Sequence, residues 1–158
     1  MKKTIVLTFS IFIFLCMTMS AYSAVVSIHD KHAVIGETIE MPVLVDDAAG
    51  IAGFKLNITY DASVLEVTGV SAGKLTAVWM VTPNTNTAGE LRVAGVDMTL
   101  SGLQAGKGSL AVVQFKVIGK TTKDSAAVGF NICTLLDSKG AVINSTTNAG
   151  KIKVSGGK

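Results

Sequence analysis

Cysteine, aromatic rings and net charge are all scarce in this sequence, and each shortage removes a class of function. Cys16 lies in an apolar N-terminal stretch, which leaves Cys133 as the single cysteine of the remainder. One thiol cannot form an intramolecular disulfide, so the fold depends on its buried core, with Cys133 read as a small apolar strand residue. Trp79 is the sole tryptophan, and Tyr60 is the sole tyrosine beyond the N-terminal stretch. Modules that grip crystalline polysaccharide present several coplanar rings, and this chain has too few. Trp79 reads as a core or rim residue, with stacking on a single sugar ring as the alternative. No Arg/Lys stripe with interleaved aromatics is present, so nucleic-acid binding has no support.

Lys2 and Lys3 open the chain, residues 5–19 are almost wholly apolar, and Ala21 and Ser23 supply small residues before Ala24. This is the anatomy of a secretory signal over residues 1–23, followed by a single domain over residues 24–158. The apolar core is about 15 residues, short of the roughly 20 that a membrane span needs. A lipoprotein reading through Cys16 fails because Leu15 precedes it where a small residue is required. Removing 23 of 158 residues leaves 135, enough for a two-layer core. Removing Lys2 and Lys3 from the 14 basic residues, against 11 acidic ones, leaves a net charge of +1. Location is expected to be secreted, extracellular or cell-surface associated, with no membrane span after the signal is removed.

Helical spacing, a proline-rich linker and an internal repeat are all missing; two-residue alternation is what recurs. Phe54, Leu56, Ile58 and Tyr60 alternate with Lys55, Asn57 and Thr59, and Ile39, Met41, Val43 and Val45 follow the same period. That period marks half-buried strands of an antiparallel sheet. Further strands are predicted over residues 25–29, 64–70, 78–82, 90–96, 110–118, 126–135 and 150–154. Turn chemistry separates them at residues 46–50, 82–84, 137–140 and 148–150. About nine strands with glycine-rich turns make an all-β, two-sheet β-sandwich, read as a jelly roll. Pro42 cannot donate to a ladder, so its strand is placed at an edge or with its nitrogen facing out.

From residue 36 onward the order of signals resembles the cohesin domain family. Residues 36–43 (GETIEMPV) are similar to that family's second strand, and residues 51–67 (IAGFKLNITYDASVLEV) are the most specific match. Residues 108–117 (GSLAVVQFKV) and 150–154 (GKIKV) resemble a later central strand and the closing strand. Tyr60 is expected to pack its ring inside and Asp61 to cap the turn after it by accepting from backbone N–H groups, both as scaffold. The resemblance implies a non-catalytic module, related in fold to carbohydrate-binding modules. It implies docking of dockerin-bearing proteins in polysaccharide degradation, with calcium bound by the partner and no cofactor of its own. It also implies a docking sheet face with outward residues Gly53, Lys55, Asn57 and Thr59, and with Arg92, Gln114 and Lys116 as neighbours. Gly53-Phe54-Lys55 stands where better-known members carry an Asn-x-Asp pair, and a cation in place of an acid changes which partners are tolerated. A solvated strand face is the plainer reading of Lys55 and Asn57.

Two other readings remain open: a carbohydrate-binding module for soluble glycans, and an exported adhesin or assembly subunit pairing through a sheet edge. Catalysis has little support. His29 and His32 lack a third ligand nearby in sequence, and they read as exposed loop histidines. Asp46 and Asp47 read as a solvated turn, with calcium as the lesser alternative. Residues 102–109 have phosphate-loop composition but the wrong spacing, and they lead into a strand; they read as a flexible turn. Among Glu40, Glu66, Glu90 and Asp97, nothing singles out a pair for glycoside hydrolysis. The expected metal and catalytic sets are none.

Overall fold

Alternating side chains need a second layer to bury their apolar face, and the chain supplies it from itself. The computed structural model describes residues 23–121 and 125–155. The signal reading over residues 1–23 therefore lies outside the described residues except for Ser23. The strands are β1 (Ala24–Ile28), β2 (Lys31–Val34), β3 (Thr38–Val45), β4 (Gly53–Tyr60), β5 (Leu65–Ala72), β6 (Met80–Thr87), β7 (Glu90–Val96), β8 (Gly108–Val117), β9 (Ala126–Leu136), β10 (Val142–Ile143), β11 (Ser145–Asn148) and β12 (Gly150–Ser155). Among the described residues, twelve strands replace the nine expected. The additional β2, β10 and β11 have only two to four residues each, too few for a period to register.

These strands form a jelly-roll sandwich of two sheets. One sheet has five strands in the order β11-β1-β3-β8-β5; the other has seven, in the order β2-β12-β9-β4-β7-β6 with β10 against β9. Two parallel pairs, β1 with β11 and β12 with β2, close the N-terminal strands against the C-terminal ones, one pair in each sheet. The inward residues meet in one core, where Phe115, Met41, Leu56, Ile58, Leu65, Leu91, Leu110 and Ile152 are fully buried. Pro42 is not on an edge strand, because β3 lies between β1 and β8. The β1 ladder stops at Val43, so at Pro42 the strand is paired only with β8.

The chain passes from the five-stranded sheet to the seven-stranded one between Ala72 and Met80. Thr76 anchors this passage: its buried Oγ1 donates to Leu110 O at 2.6 Å and accepts from Gly73 N at 2.9 Å. Gly73 is pressed so closely on β8 that an added Cβ would sit 2.2 Å from Ser109 O. Because that neighbour is backbone, relief requires β5 and β8 to part. Gly73→Ala is expected to destabilise the fold by about 2–3 kcal/mol, read as a lower denaturation midpoint at unchanged m-value. A change below about 0.5 kcal/mol, the ordinary range for surface substitutions, would contradict this packing.

Candidate functional site

The outer face of the seven-stranded sheet is a grid set by its register. Directly opposed residues of paired strands point to the same side, so each row across the sheet shares a face. The first row runs Val142, Leu136, Gly53, Val96 and Met80 across β10, β9, β4, β7 and β6. The second is Thr134, Lys55, Ala94 and Thr82, and the third is Ile132, Asn57, Arg92 and Asn84. Gly129, Thr59 and Glu90 follow.

The first row is apolar throughout, exposed at Val142 (67%), Val96 and Met80 (58%), half-buried at Leu136 and buried at Gly53. Val78, Met98 and Leu100, all exposed, lie just past the same end of β6 and β7. Asp97 holds the loop that carries Met98 and Leu100. Its buried carboxylate accepts from Thr99 N (2.9 Å), Thr99 Oγ1 (2.6 Å), Ser101 Oγ (3.1 Å) and Gly102 N (3.1 Å). The side-chain and backbone donors of Thr99, helped by Gly102 and Ser101, lower its pKa from the ordinary 3.8 to about 2. A lowered carboxylate pKa lends stability above pH 3.8 that is lost as pH falls through about 2. The same staple holds Leu100 in the left-handed region, at φ 55°.

The second and third rows enclose a groove of about 370 Å³ lined by Lys55, Asn57, Thr82, Pro83, Asn84, Arg92 and Ile132, among others. Arg92 contacts Glu90 at 3.2 Å across the surface. Asn57 points outward as its position in the alternation requires, yet it is only 5% exposed, and its Oδ1 has no hydrogen-bond partner. This departs from the expected solvated polar face: neighbouring side chains on three strands close over a short one. A buried carbonyl oxygen without a donor costs about 1–3 kcal/mol. Asn57→Leu is therefore expected to raise stability by about 1 kcal/mol, or about 3–5 °C in Tm, measured by thermal unfolding. A lowered Tm would mean that the amide already has a partner.

Of the residues expected on this face, Gly53, Lys55, Asn57, Thr59 and Arg92 are brought together. Gln114 and Lys116 are not. β8 pairs with β3 and β5, so both belong to the opposite sheet, where Gln114 Nε2 donates to Glu40 Oε1 at 3.2 Å. Packed sheets lie about 10 Å apart, and a core separates these two residues from the rest. The grouping is corrected accordingly.

A family model for the cohesin domain matches residues 24–154, nearly all of the sandwich. The chain belongs to the cohesin family. Cellulose-binding protein A of Clostridium cellulovorans is 32% identical over 99 residues, covering 59% of this chain and 5% of that protein. The chain thus spans a small fraction of the length of the curated relative it matches. The non-cellulosomal cohesin from the archaeon Archaeoglobus fulgidus superposes with a TM-score of 0.75 at 25% identity, covering 85% of this chain and 92% of that one. The sixth cohesin of scaffoldin B from Acetivibrio cellulolyticus, solved in complex with a mutant dockerin, gives a TM-score of 0.74 at 23% identity, covering 85% of this chain and all of that one.

In this cohesin the other singled-out residues have structural roles. Trp79 is 8% exposed and stacks on Phe54 with centroids 6.2 Å apart, which removes it as a sugar platform. Asp61 caps its turn, accepting from Ser63 N at 2.9 Å, and the Tyr60 ring meets Phe115 edge-on at 5.3 Å. Asp46 accepts from Val25 N and Asp47 N, and Asp47 from Ala49 N and Gly106 N, so both staple turns. The loop before β8 is pinned by these bonds and by Leu103 N to Ile51 O at 2.7 Å. Cys133 is half-buried beside Ser145 Oγ, and burial pushes its thiol pKa up. Among the described residues, no three His, Cys, Asp or Glu side chains gather to hold a metal ion, and no helix is long and apolar enough to cross a membrane.

Proposed function

We propose that this cohesin is a non-catalytic, exported docking module that binds dockerin-bearing proteins through the outer face of its seven-stranded sheet. The observation that carries the reading is the row Val142, Leu136, Gly53, Val96 and Met80, an apolar band across five strands whose Val142, Val96 and Met80 are exposed. Contiguous exposed apolar surface marks an interaction site, where scattered residues do not. The first row is five strands wide, roughly 19 Å at about 4.8 Å spacing, and β4 runs about 25 Å along the face, a footprint that fits within a standard protein interface. The opposite outer face carries the charged and polar Glu40, Glu66, Gln114 and Lys116. Family membership supports the dockerin as partner, as do solved relatives held in complexes with dockerins.

Glycan binding is weakened by the burial of Trp79. Edge-to-edge assembly is weakened by Pro83 and the register shift in edge strand β6, since both devices discourage strand addition. Calcium belongs to the partner in this reading, and the setting is assembly of enzymes for polysaccharide breakdown outside the cell or at its surface. The test is affinity capture of the source organism's secreted proteins on the purified chain. The expected catch is proteins with paired calcium loop–helix units, released by EGTA. Recovery of none of these, with binding on a glycan array instead, would overturn the reading.

A further inference from the structure

We propose that the groove over Asn57 is a seat for one acidic side chain, Asp or Glu, presented by the dockerin partner; the proposal rests on the docking reading above. Three features of the groove converge on that chemistry. First, it carries excess positive charge. Lys55 is exposed and makes no ion pair among the described residues, while Arg92 has a single carboxylate contact, with Glu90. Glu90 offsets one of the two cations and the other remains uncompensated. Second, the floor is an amide that is 5% exposed with Oδ1 unpartnered. A solvated strand face does not bury an orphan amide. Oδ1 is the shielded atom of that amide, which leaves the Nδ2 donor on the groove side, so Asn57 can offer an N–H to an arriving carboxylate without breaking a bond it now makes. Third, Pro83 and Ile132 are apolar walls. They would receive the methylene stem of the incoming side chain and exclude water, which strengthens a charge-assisted hydrogen bond.

The size and lining also limit the occupant. About 370 Å³ accepts one side chain but not a helix, so the groove is a subsite within a larger face. No aromatic ring lines it, which disfavours a sugar. A basic partner residue would meet Lys55 and Arg92 as like charges, and such a mismatch selects against wrong partners.

The test is a display library on a calcium-loaded dockerin, randomised at its exposed helix positions and selected against the wild-type chain and Lys55→Glu. Lys55 is exposed, so the variant keeps its fold, checked by far-UV circular dichroism. Wild type is expected to enrich Asp or Glu at one position. The selected dockerin is expected to bind Lys55→Glu 10- to 100-fold more weakly and to regain affinity when its own acid is changed to Lys. Asn57→Leu is expected to weaken it about 10-fold while keeping the fold. Binders without an acidic preference, or a charge swap that restores nothing, would overturn this proposal and leave the docking reading standing. If no dockerin variant binds the wild-type chain, both fall.

Discussion

Val96→Asp is expected to weaken dockerin binding by 100-fold or more while leaving the sandwich folded. Val96 sits in the apolar row between Gly53 and Met80. It is partly exposed on the outer face of an interior strand, so the carboxylate meets water in the free protein and costs little there. In a complex the same carboxylate would be trapped among Leu136, Met80 and the partner's apolar surface with no cation opposite it. Loss of a central anchor in an interface costs about 2 kcal/mol or more, and a buried unpaired charge adds to that. Calorimetric titration measures the loss, and thermal unfolding within a few degrees of wild type shows that it is not a folding defect. Binding reduced less than threefold would place the partner elsewhere.

Phe115→Ala is expected to carry the largest stability loss, about 3–5 kcal/mol, or about 12–20 °C in Tm. Phe115 is fully buried on β8 and meets the Tyr60 ring from the opposite sheet at 5.3 Å and 62°. Its removal leaves a cavity between the two layers. With total stabilities of about 5–15 kcal/mol typical for domains, the variant is expected to fold only well below the wild-type Tm. Since Phe115 lies on the sheet that does not carry the proposed docking face, dockerin affinity at low temperature is expected to stay within about threefold of wild type. Urea unfolding at several temperatures checks the first outcome and calorimetry the second. A loss below 1 kcal/mol would mean that the core collapses onto the vacancy.

The alternation of β4 was readable because Phe54, Leu56, Ile58 and Tyr60 all meet the core and nothing interrupts the period. The two-sheet class followed from such runs, and so did Asp61 as a turn cap. What escaped was non-local or depended on an irregularity. β9 carries an extra residue, Asn131, where Asn57 pairs with Ile132 but Ile58 pairs with Phe130. The bulge turns Ile132 outward, whereas an unbroken period places it beside Val128 and Phe130. Residues 82–84 have turn composition but lie within β6, because an edge strand tolerates a proline whose neighbour on one side is solvent. The misplacement of Gln114 and Lys116 has another cause. Strand periodicity says which residues share a face of one strand, but not which sheet the strand joins. The long connection between β7 and β8 was the available sign that the chain changes layers there.

Hydrogen–deuterium exchange of the chain with and without a bound dockerin tests the choice of face most directly. Protection is expected to concentrate on β4, β6, β7 and the end of β9, around Gly53, Lys55, Asn57, Arg92, Val96 and Met80. Protection centred instead on Glu40, Glu66, Gln114 and Lys116 would put the partner on the other sheet and contradict the account.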